Sequence, residues 1–446
     1  INSALDLTEP GDVVIALPGR YESEAEARLH ADGAKVRSRV VVPRKRTVRS
    51  RDGAETTFIV GAAATSPKAL GRLGADAVRG VFLNEDAAVE GFTITGGGTD
   101  SPESGWADLP NDDGRGGGVC GSSADTSVVR DCVIADNAAV RGGGVCRVTC
   151  RRCRIVGNVG THLGTGANLA RLVRTFADGN AGSLAWLYQG WLDGCTVGAD
   201  NRQPDTALPA EAHLDNKNAL IRNTIVLGGR VTCVSSNVHD CVFAPGVEVA
   251  GLPAGDHRCL LGADATPLAF EADGVTPKIG ENVAIDRGNP ESVPAEDRDR
   301  DLAGHCQIWN GMMDVGAVEA DWRDRYAKAL SGNRLKVDAA PATAVEDAAR
   351  MIRLLSGALE MSWRPRANAP TPMRLNYSVA GTGTLMIRLN GEVVDTATAG
   401  QTRQYAYLSP SLGDSLTFTY EPGEDDALGA LIGRFDNMVG MVLTVR

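Results

Sequence analysis

Several groups of residues in this chain have the types and spacing to do chemistry. In the stretch 98–115, Asp100, Glu103, Asp108, Asp112 and Asp113 surround Trp106. Such oxygen ligands suit a calcium ion, and two carboxylates about 5–10 Å apart suit glycosidic hydrolysis. A solvated acidic loop has the same composition. In the stretch 202–217, His213 stands near Asp215 and Lys217, a mixture able to move a proton, although loop polarity alone accounts for it as well. Asp193 adds a carboxylate just upstream, and His162 and His239 are the other leading histidines. Cys146, Cys150 and Cys153 are spaced closely enough for zinc, but no second paired cluster with histidine lies nearby. Trp106, Trp186, Tyr188 and Trp191 offer aromatic faces for a sugar ring.

The elements that must position these residues are repeats. VVRDCVIADN (128–137), CRRCRIVGN (150–158), VRTFADGN (173–180) and LDGCTVGADN (192–201) align, placing Asn137, Asn158, Asn180 and Asn201 in one column. The spacing of about 21–22 residues is that of one coil of a β-solenoid. Stacked coils bring equivalent residues about 4.8 Å apart, so identical Asn side chains form an amide ladder, and Asn tolerates the left-handed backbone of a sharp turn. That column is structural. Cys132, Cys153 and Thr175 form a second column, joined by Cys195 if its turn holds one extra residue. If it points inward, its thiols are small buried apolar groups; the spacing also admits a disulfide.

A third column, Val119, Val145, Ala167 and Leu187, is always apolar and should point into the core. Alternation then turns Trp186 and Tyr188 outward. Trp186 stands where preceding coils have Gly118, Gly144 and Gly166, so its indole would rise beside a glycine floor. Trp191 and the 202–217 insertion would form walls and the 98–115 loop one side; burial under the insertion is the competing reading. Coils continue upstream at 80–98 and downstream at 219–229 and 237–246.

Composition supports an elongated repeat domain and excludes some functions. The 446 residues include 53 glycines and only 5% aromatics, as many short strands and tight turns require. A net charge of −11 disfavours nucleic acid, and Arg44, Lys45 and Arg46 are the only compact basic run. No apolar run approaches the roughly 20 residues of a transmembrane helix. The chain opens at Ile1 without a signal segment, which fits a processed export precursor and an extracellular or cell-surface location.

GDVVIALPGRY (11–21) resembles the opening coil of bacterial right-handed β-helix proteins, and GFTITGGG followed by GGGVC resembles polymorphic-membrane-protein-like repeats. AIDRGNP (284–290) and DRDLAGHCQIWNGMMDVGAVE (299–319) resemble the closing segment of secreted β-helix proteins of the choice-of-anchor type. The resemblance implies a pectate-lyase-like right-handed parallel β-helix over residues 1–322, closed by 284–319. It also implies carbohydrate as partner, through glycan binding or polysaccharide processing in a surface groove. A polysaccharide lyase would use Arg or Lys as base, often with calcium, and Arg130, Arg152, Arg174 and Arg222 near corresponding turns could neutralise a uronate. A glycoside hydrolase would need stacked acids, but the column of Asp136 and Asp200 is broken by Gly157 and Gly179. A non-catalytic surface or adhesin-type protein is the alternative.

Residues 323–334 read as a linker or short helix, and the pattern then changes. MRLNYSVAG (373–381), TLMIRLNGEVV (384–394) and SLTFTYEPG (415–423) alternate apolar and polar residues, with Asn390-Gly391 as a hairpin signal. This makes 335–446 a small antiparallel, jelly-roll-like β-sandwich in an all-β chain. Expressed alone, 335–446 should give a cooperative thermal transition and dispersed amide resonances; a fragment that stays unfolded would remove its independence.

Overall fold

The computed structural model describes residues 1–31, 33–66, 72–101, 112–182, 185–201, 211–214, 220–233, 238–252, 257–294, 300–305, 307–308, 313–320, 335–341, 344–347, 351–363, 373–400, 404–408 and 414–437. Among these, residues up to Leu261 wind into a right-handed parallel β-helix with three long sheets. The first sheet has nine strands, from Val13–Ala16 to Val238–His239; the second has ten, from Gly19–Tyr21 to Leu260–Leu261. The third has nine, from Arg37–Val42 to Glu248–Ala250. Each strand pairs in parallel with its equivalent one coil away, as Val128–Arg130 does with Thr149–Arg151. Among the described residues, no helix is long and apolar enough to cross a membrane.

Each column repeats one solution at every coil. Asn137 Nδ2 donates to Asn158 Oδ1, Asn158 Nδ2 to Asn180 Oδ1, and Asn180 Nδ2 to Asn201 Oδ1, each at 3.0 Å. The same oxygens accept the backbone N–H of the preceding Asn at 3.1 Å, and Asn137 Oδ1 accepts from Gly97 N at 2.9 Å. The ladder is buried, so its amides are satisfied by one another and by strand carbonyls. Val145 stands in register with Val119 and Ala167, and Ala167 with Leu187, all buried as the apolar column requires.

The cysteine column faces inward. Cys132, Cys153 and Cys195 are buried free thiols in the main core, and Thr175 and Thr224 fill the same position. The hydroxyls show why the two residue types interchange: Thr175 Oγ1 donates to Val173 O at 3.0 Å and accepts from Cys153 N at 3.4 Å. Cys132 Sγ likewise contacts Arg130 O at 3.1 Å and Phe92 N at 3.4 Å. Burial pushes the Cys195 thiol up to about 12, so it stays protonated. Cys146 instead packs with Phe82 and Cys120 in a separate cluster, away from Cys150 and Cys153 in the main core. Among the described residues no His, Cys, Asp and Glu group could hold a metal ion.

The corner leading from the first sheet to the second turns on one residue. Gly91, Asp131, Arg152, Arg174, Gly194, Asn223, Asp240 and Arg258 occupy it in successive coils, all with φ between 48° and 75°. Non-glycine residues are costly there, and the observed ones are polar. The closing segment lies along this corner. Arg174, 2% exposed, donates to Gly316 O at 2.7 Å and to Glu319 Oε1 at 3.3 Å. Asn223 donates to Ser292 Oγ at 3.0 Å and accepts from Asn289 N at 2.8 Å.

The chain divides into two compact units, Ile1–Gly304 with Met313–Glu319 and His305–Met312 with Ala320–Arg446. The expected linker, 323–334, lies outside the described residues. The second unit contains two five-stranded antiparallel sheets. Leu359, Leu385 and Phe418 from one sheet and Ile352, Leu375 and Ile432 from the other share a core, making a β-sandwich. Thr384–Leu389 and Glu392–Thr398 are joined by Asn390 and Gly391 at φ 52° and 86°, the hairpin signalled by that dipeptide.

Replacing Asn158 by Leu removes its bonds to Ile134 O, Val156 O and Asn180 Oδ1 and the oxygen that accepts from both the backbone N–H and Nδ2 of Asn137. Urea unfolding of the β-helix should show a loss of about 2–4 kcal/mol. A midpoint equal to wild type would mean that the ladder does not bear on stability.

Candidate functional site

The described acids of the 98–115 insertion hold the loop to the solenoid. Asp113, fully buried, accepts from Lys35 N and Val36 N at 3.0–3.1 Å. The Asp112 carboxylate bridges Arg115 at 3.0 Å and Arg147 at 2.9 Å. Asp100 is buried and accepts from Ser101 N at 2.8 Å. Buried Arg79, at the loop's exit, donates to the carbonyls of Asp112, Arg115 and Gly116. Glu103, Trp106 and Asp108 lie outside the described residues, as do Asp215 and Lys217. His213 lies on Glu211–Leu214, opposite Tyr188 on the neighbouring coil. His162 is half-buried, its backbone N–H bonded to Val140 O at 3.0 Å.

The aromatic platform expected at Trp186 is not there. Trp186 is 2% exposed and belongs to the main core. The glycine column that it joins faces inward rather than outward. A Cβ on Gly118 would lie 2.8 Å from Asn137 Nδ2, one on Gly144 3.0 Å from Asn158 Nδ2, and one on Gly166 2.9 Å from Asn180 Cγ. Strand irregularities flank Trp186: Leu163 and Ala167 face Ala185 and Leu187, which in turn face Glu211 and Ala212. Two residues opposite one make a bulge, which breaks alternation and lets Trp186 and Leu187 both be buried. Half-buried Tyr188 lies on the third sheet and Trp191 on the first, so the three aromatics do not converge.

Trp191 belongs to a different assembly. Arg171, Trp191 and Leu220 are in register on the first sheet, each half-buried. Alternation puts them on one face with the next column, Val173, Asp193 and Arg222, followed by His239. The Arg171 guanidinium lies 4.2 Å from the Trp191 ring centroid, within cation–π range. Asp193 pairs with Arg222 at 2.6 Å. Earlier in this second column Glu90 pairs with Arg49 at 2.5 Å and Arg130 at 2.8 Å.

The four arginines expected to gather on a uronate are therefore dispersed. Arg130 and Arg222 stand on the sheet, paired to Glu90 and Asp193. Arg152 sits on the corner, bonded through Nε to Asp131 at 2.7 Å, and Arg174 is enclosed by the closing segment. Each holds a neighbouring part of the chain in place.

At its far end the charged column meets the corner and a cavity. His239 Nδ1 and Arg258 Nη2 both reach Asp240 Oδ2, at 2.7 and 2.8 Å. A cavity of about 720 Å³ is lined there by Asp240, Arg258, Cys259 and Leu260 on the solenoid and by Asp286–Glu291 of the closing segment. Three carboxylates, Asp240, Asp286 and Glu291, thus share one wall system with Arg258 and Arg287. Cys259 is partly exposed, whereas the other described cysteines with an assigned burial are buried. Of this group, sequence reasoning singled out only His239. The repetition of VHDC (238–241) in DHRC (256–259), continuing the cysteine column, is the signal that leads to it.

No protein-family model matches the chain, and no curated protein matches it. Solved structures with some likeness include pectin methylesterase PemA from Erwinia chrysanthemi, at 9% identity over 61% of this chain and 79% of that one, TM-score 0.25. A tailspike protein of bacteriophage CBA120 is 10% identical over 89% of this chain and 60% of its own, TM-score 0.17. Carbohydrate-binding module CBM36, solved with calcium and xylotriose, is 16% identical over 23% of this chain and 90% of its own, TM-score 0.17. At these scores the β-helix assignment rests on the chain's own strand order.

Changing Arg174 to Met would leave Glu319 buried without its cation. A loss of about 3–5 kcal/mol is expected, with faster proteolysis inside 284–319 in the native state. Unchanged cleavage there would show that Arg174 does not hold the closing segment.

Proposed function

We propose that this is an extracellular or cell-surface glycan-binding protein of the secreted bacterial choice-of-anchor and polymorphic-membrane-protein-like kind. Its binding face is the outer surface of the first sheet near Trp191, continued past His239 into the corner cavity. One observation carries the reading: half-buried Trp191, with the Arg171 guanidinium over one face of its ring, stands on a rigid strand beside Asp193 and Arg222, an aromatic edge flanked by polar groups at fixed spacing. Sugars present apolar ring faces rimmed by hydroxyls, so an indole with adjacent carboxylate and guanidinium groups addresses both. The guanidiniums of Arg258 and Arg287 in the cavity favour a glycan bearing carboxylates.

Turnover by a lyase or hydrolase would draw on Asp240, Asp286 and Glu291 in that cavity, with calcium as a candidate cofactor of the lyase form. A non-catalytic adhesin is the second reading. The pairing of Asp193 with Arg222 and of Asp240 with Arg258 favours it, because these carboxylates are already engaged in holding neighbouring side chains.

The full chain is screened against uronate-containing and neutral glycans, with calcium and with chelator, following unsaturated and reducing-end products separately. Trp191→Ala should weaken binding about tenfold, or about 1.4 kcal/mol, with an unchanged far-ultraviolet dichroism spectrum. Binding without product selects the adhesin. Wild-type affinity in the variant, or no affinity for any glycan, overturns the proposal.

A further inference from the structure

The cysteine column ends differently from how it begins. Cys132 and Cys153 are neighbours across coils, and Cys120 and Cys146 are paired in register, but all four are buried. Cys241 and Cys259 are the next such pair: Val242 faces Leu260, and Leu260 N donates to Cys241 O at 2.9 Å. Adjacent parallel strands lie about 4.8 Å apart, inside the Cα separation that a disulfide spans. Here one partner is buried and the other, Cys259, opens on the cavity.

The surroundings of the two sulfurs divide their roles. The Cys241 thiol donates to His239 O at 3.2 Å, whereas the Cys259 thiol reaches His257 O at 3.4 Å and Cys259 N donates to His257 Nδ1 at 3.1 Å. The adjoining Cys241, helped by His257, lowers the Cys259 thiol to about 7 despite partial burial. Burial, with Cys259 beside it, pushes Cys241 well above the ordinary thiol range. Of the two sulfurs, Cys259 is the one that reaches the cavity and whose thiolate is favoured, and buried Cys241 keeps its proton.

We propose that Cys241 and Cys259 form a thiol–disulfide exchange site that takes small-molecule disulfides from solvent and closes into a bridge between neighbouring coils. The Cys259 thiolate attacks one sulfur of a disulfide RSSR, forming a mixed disulfide and releasing RS⁻. That RS⁻ takes the Cys241 proton and leaves as RSH. The Cys241 sulfur then attacks Cys259 Sγ, forming the protein disulfide and expelling the second RS⁻, which takes up the proton that Cys259 had released. Net, two protein thiols and one RSSR give one protein disulfide and two RSH. Cys259 opens on the cavity that the glycan reading also uses, but the exchange itself requires no bound glycan.

The test uses the full chain and a variant that the column itself suggests. Thr175 and Thr224 occupy the equivalent position in other coils, so Cys241→Thr keeps the packing and removes the second sulfur. In the native wild type, iodoacetamide should modify Cys259 at least about tenfold faster than the buried Cys120, Cys132, Cys146, Cys150, Cys153, Cys195 and Cys241, with a rate rising through pH 7. Oxidised glutathione should then yield a cross-linked 241–259 peptide and a raised Tm. In the threonine variant the reaction should stop at glutathionylated Cys259, with no rise in Tm. A Cys259 no faster than the buried thiols overturns the proposal, as does a wild type that stops at the mixed disulfide.

Discussion

Everything in the β-helix depends on one constraint: each coil must repeat the position of the last within the span of a hydrogen bond. Strands at that spacing satisfy one another's backbones, but every inward residue then meets its equivalent above and below. A residue type is tolerated only if it can sit on a copy of itself. Asn does so by donating and accepting at once, as Asn137, Asn158, Asn180 and Asn201 do. Val and Ile do so by size, and Cys and Thr by giving a proton to a carbonyl while accepting an amide. Glycine at 118 and 144 is demanded by the next coil's carbonyl oxygen together with the Asn side chain beside it, and at 166 by Asn180.

That constraint explains what could be read from the sequence. The Asn and Cys columns were legible because like residues recur at one spacing, and their chemistry names the partner. The orientation of Trp186 was not. Strict alternation from Leu187 turned it outward, but the glycine column already pointed inward and a bulge placed two consecutive residues inside. The corner was also invisible, because Asp131, Arg152, Asn223 and Asp240 share no side-chain class. What they share is a backbone angle. The cavity needed the closing segment to fold back on that corner, a long-range contact that no periodicity announces. The Asn390-Gly391 hairpin, being local, was plain.

The left-handed corner also decides where polar chemistry can collect. Its residues cannot be bulky and β-branched without strain, so the position fills with glycine, acids, asparagine and arginine. Stacking then gathers charges along one line, where they pair with each other and with the closing segment. The acidic loop at 98–115, richer in candidate groups, spends Asp112 and Asp113 on anchoring itself. A count of ionisable residues does not show which of them are already engaged. The more informative feature is a conformation repeated along the solenoid, ending beside a partly exposed thiol.

The Asn ladder carries a further consequence for how such a chain can change length. Successive rungs are 21 or 22 residues apart, and each makes the same bonds to the rung above and below. Duplicating residues 159–180, one full repeat, would lengthen the stack by one coil while leaving every rung bonded as before. A single-residue insertion between those asparagines must be taken up in a turn, or it displaces one amide and leaves two rungs broken. Growth by whole coils is thus nearly neutral and growth by single residues is confined to the turns, so genes for such proteins should diverge by copying in units of one coil.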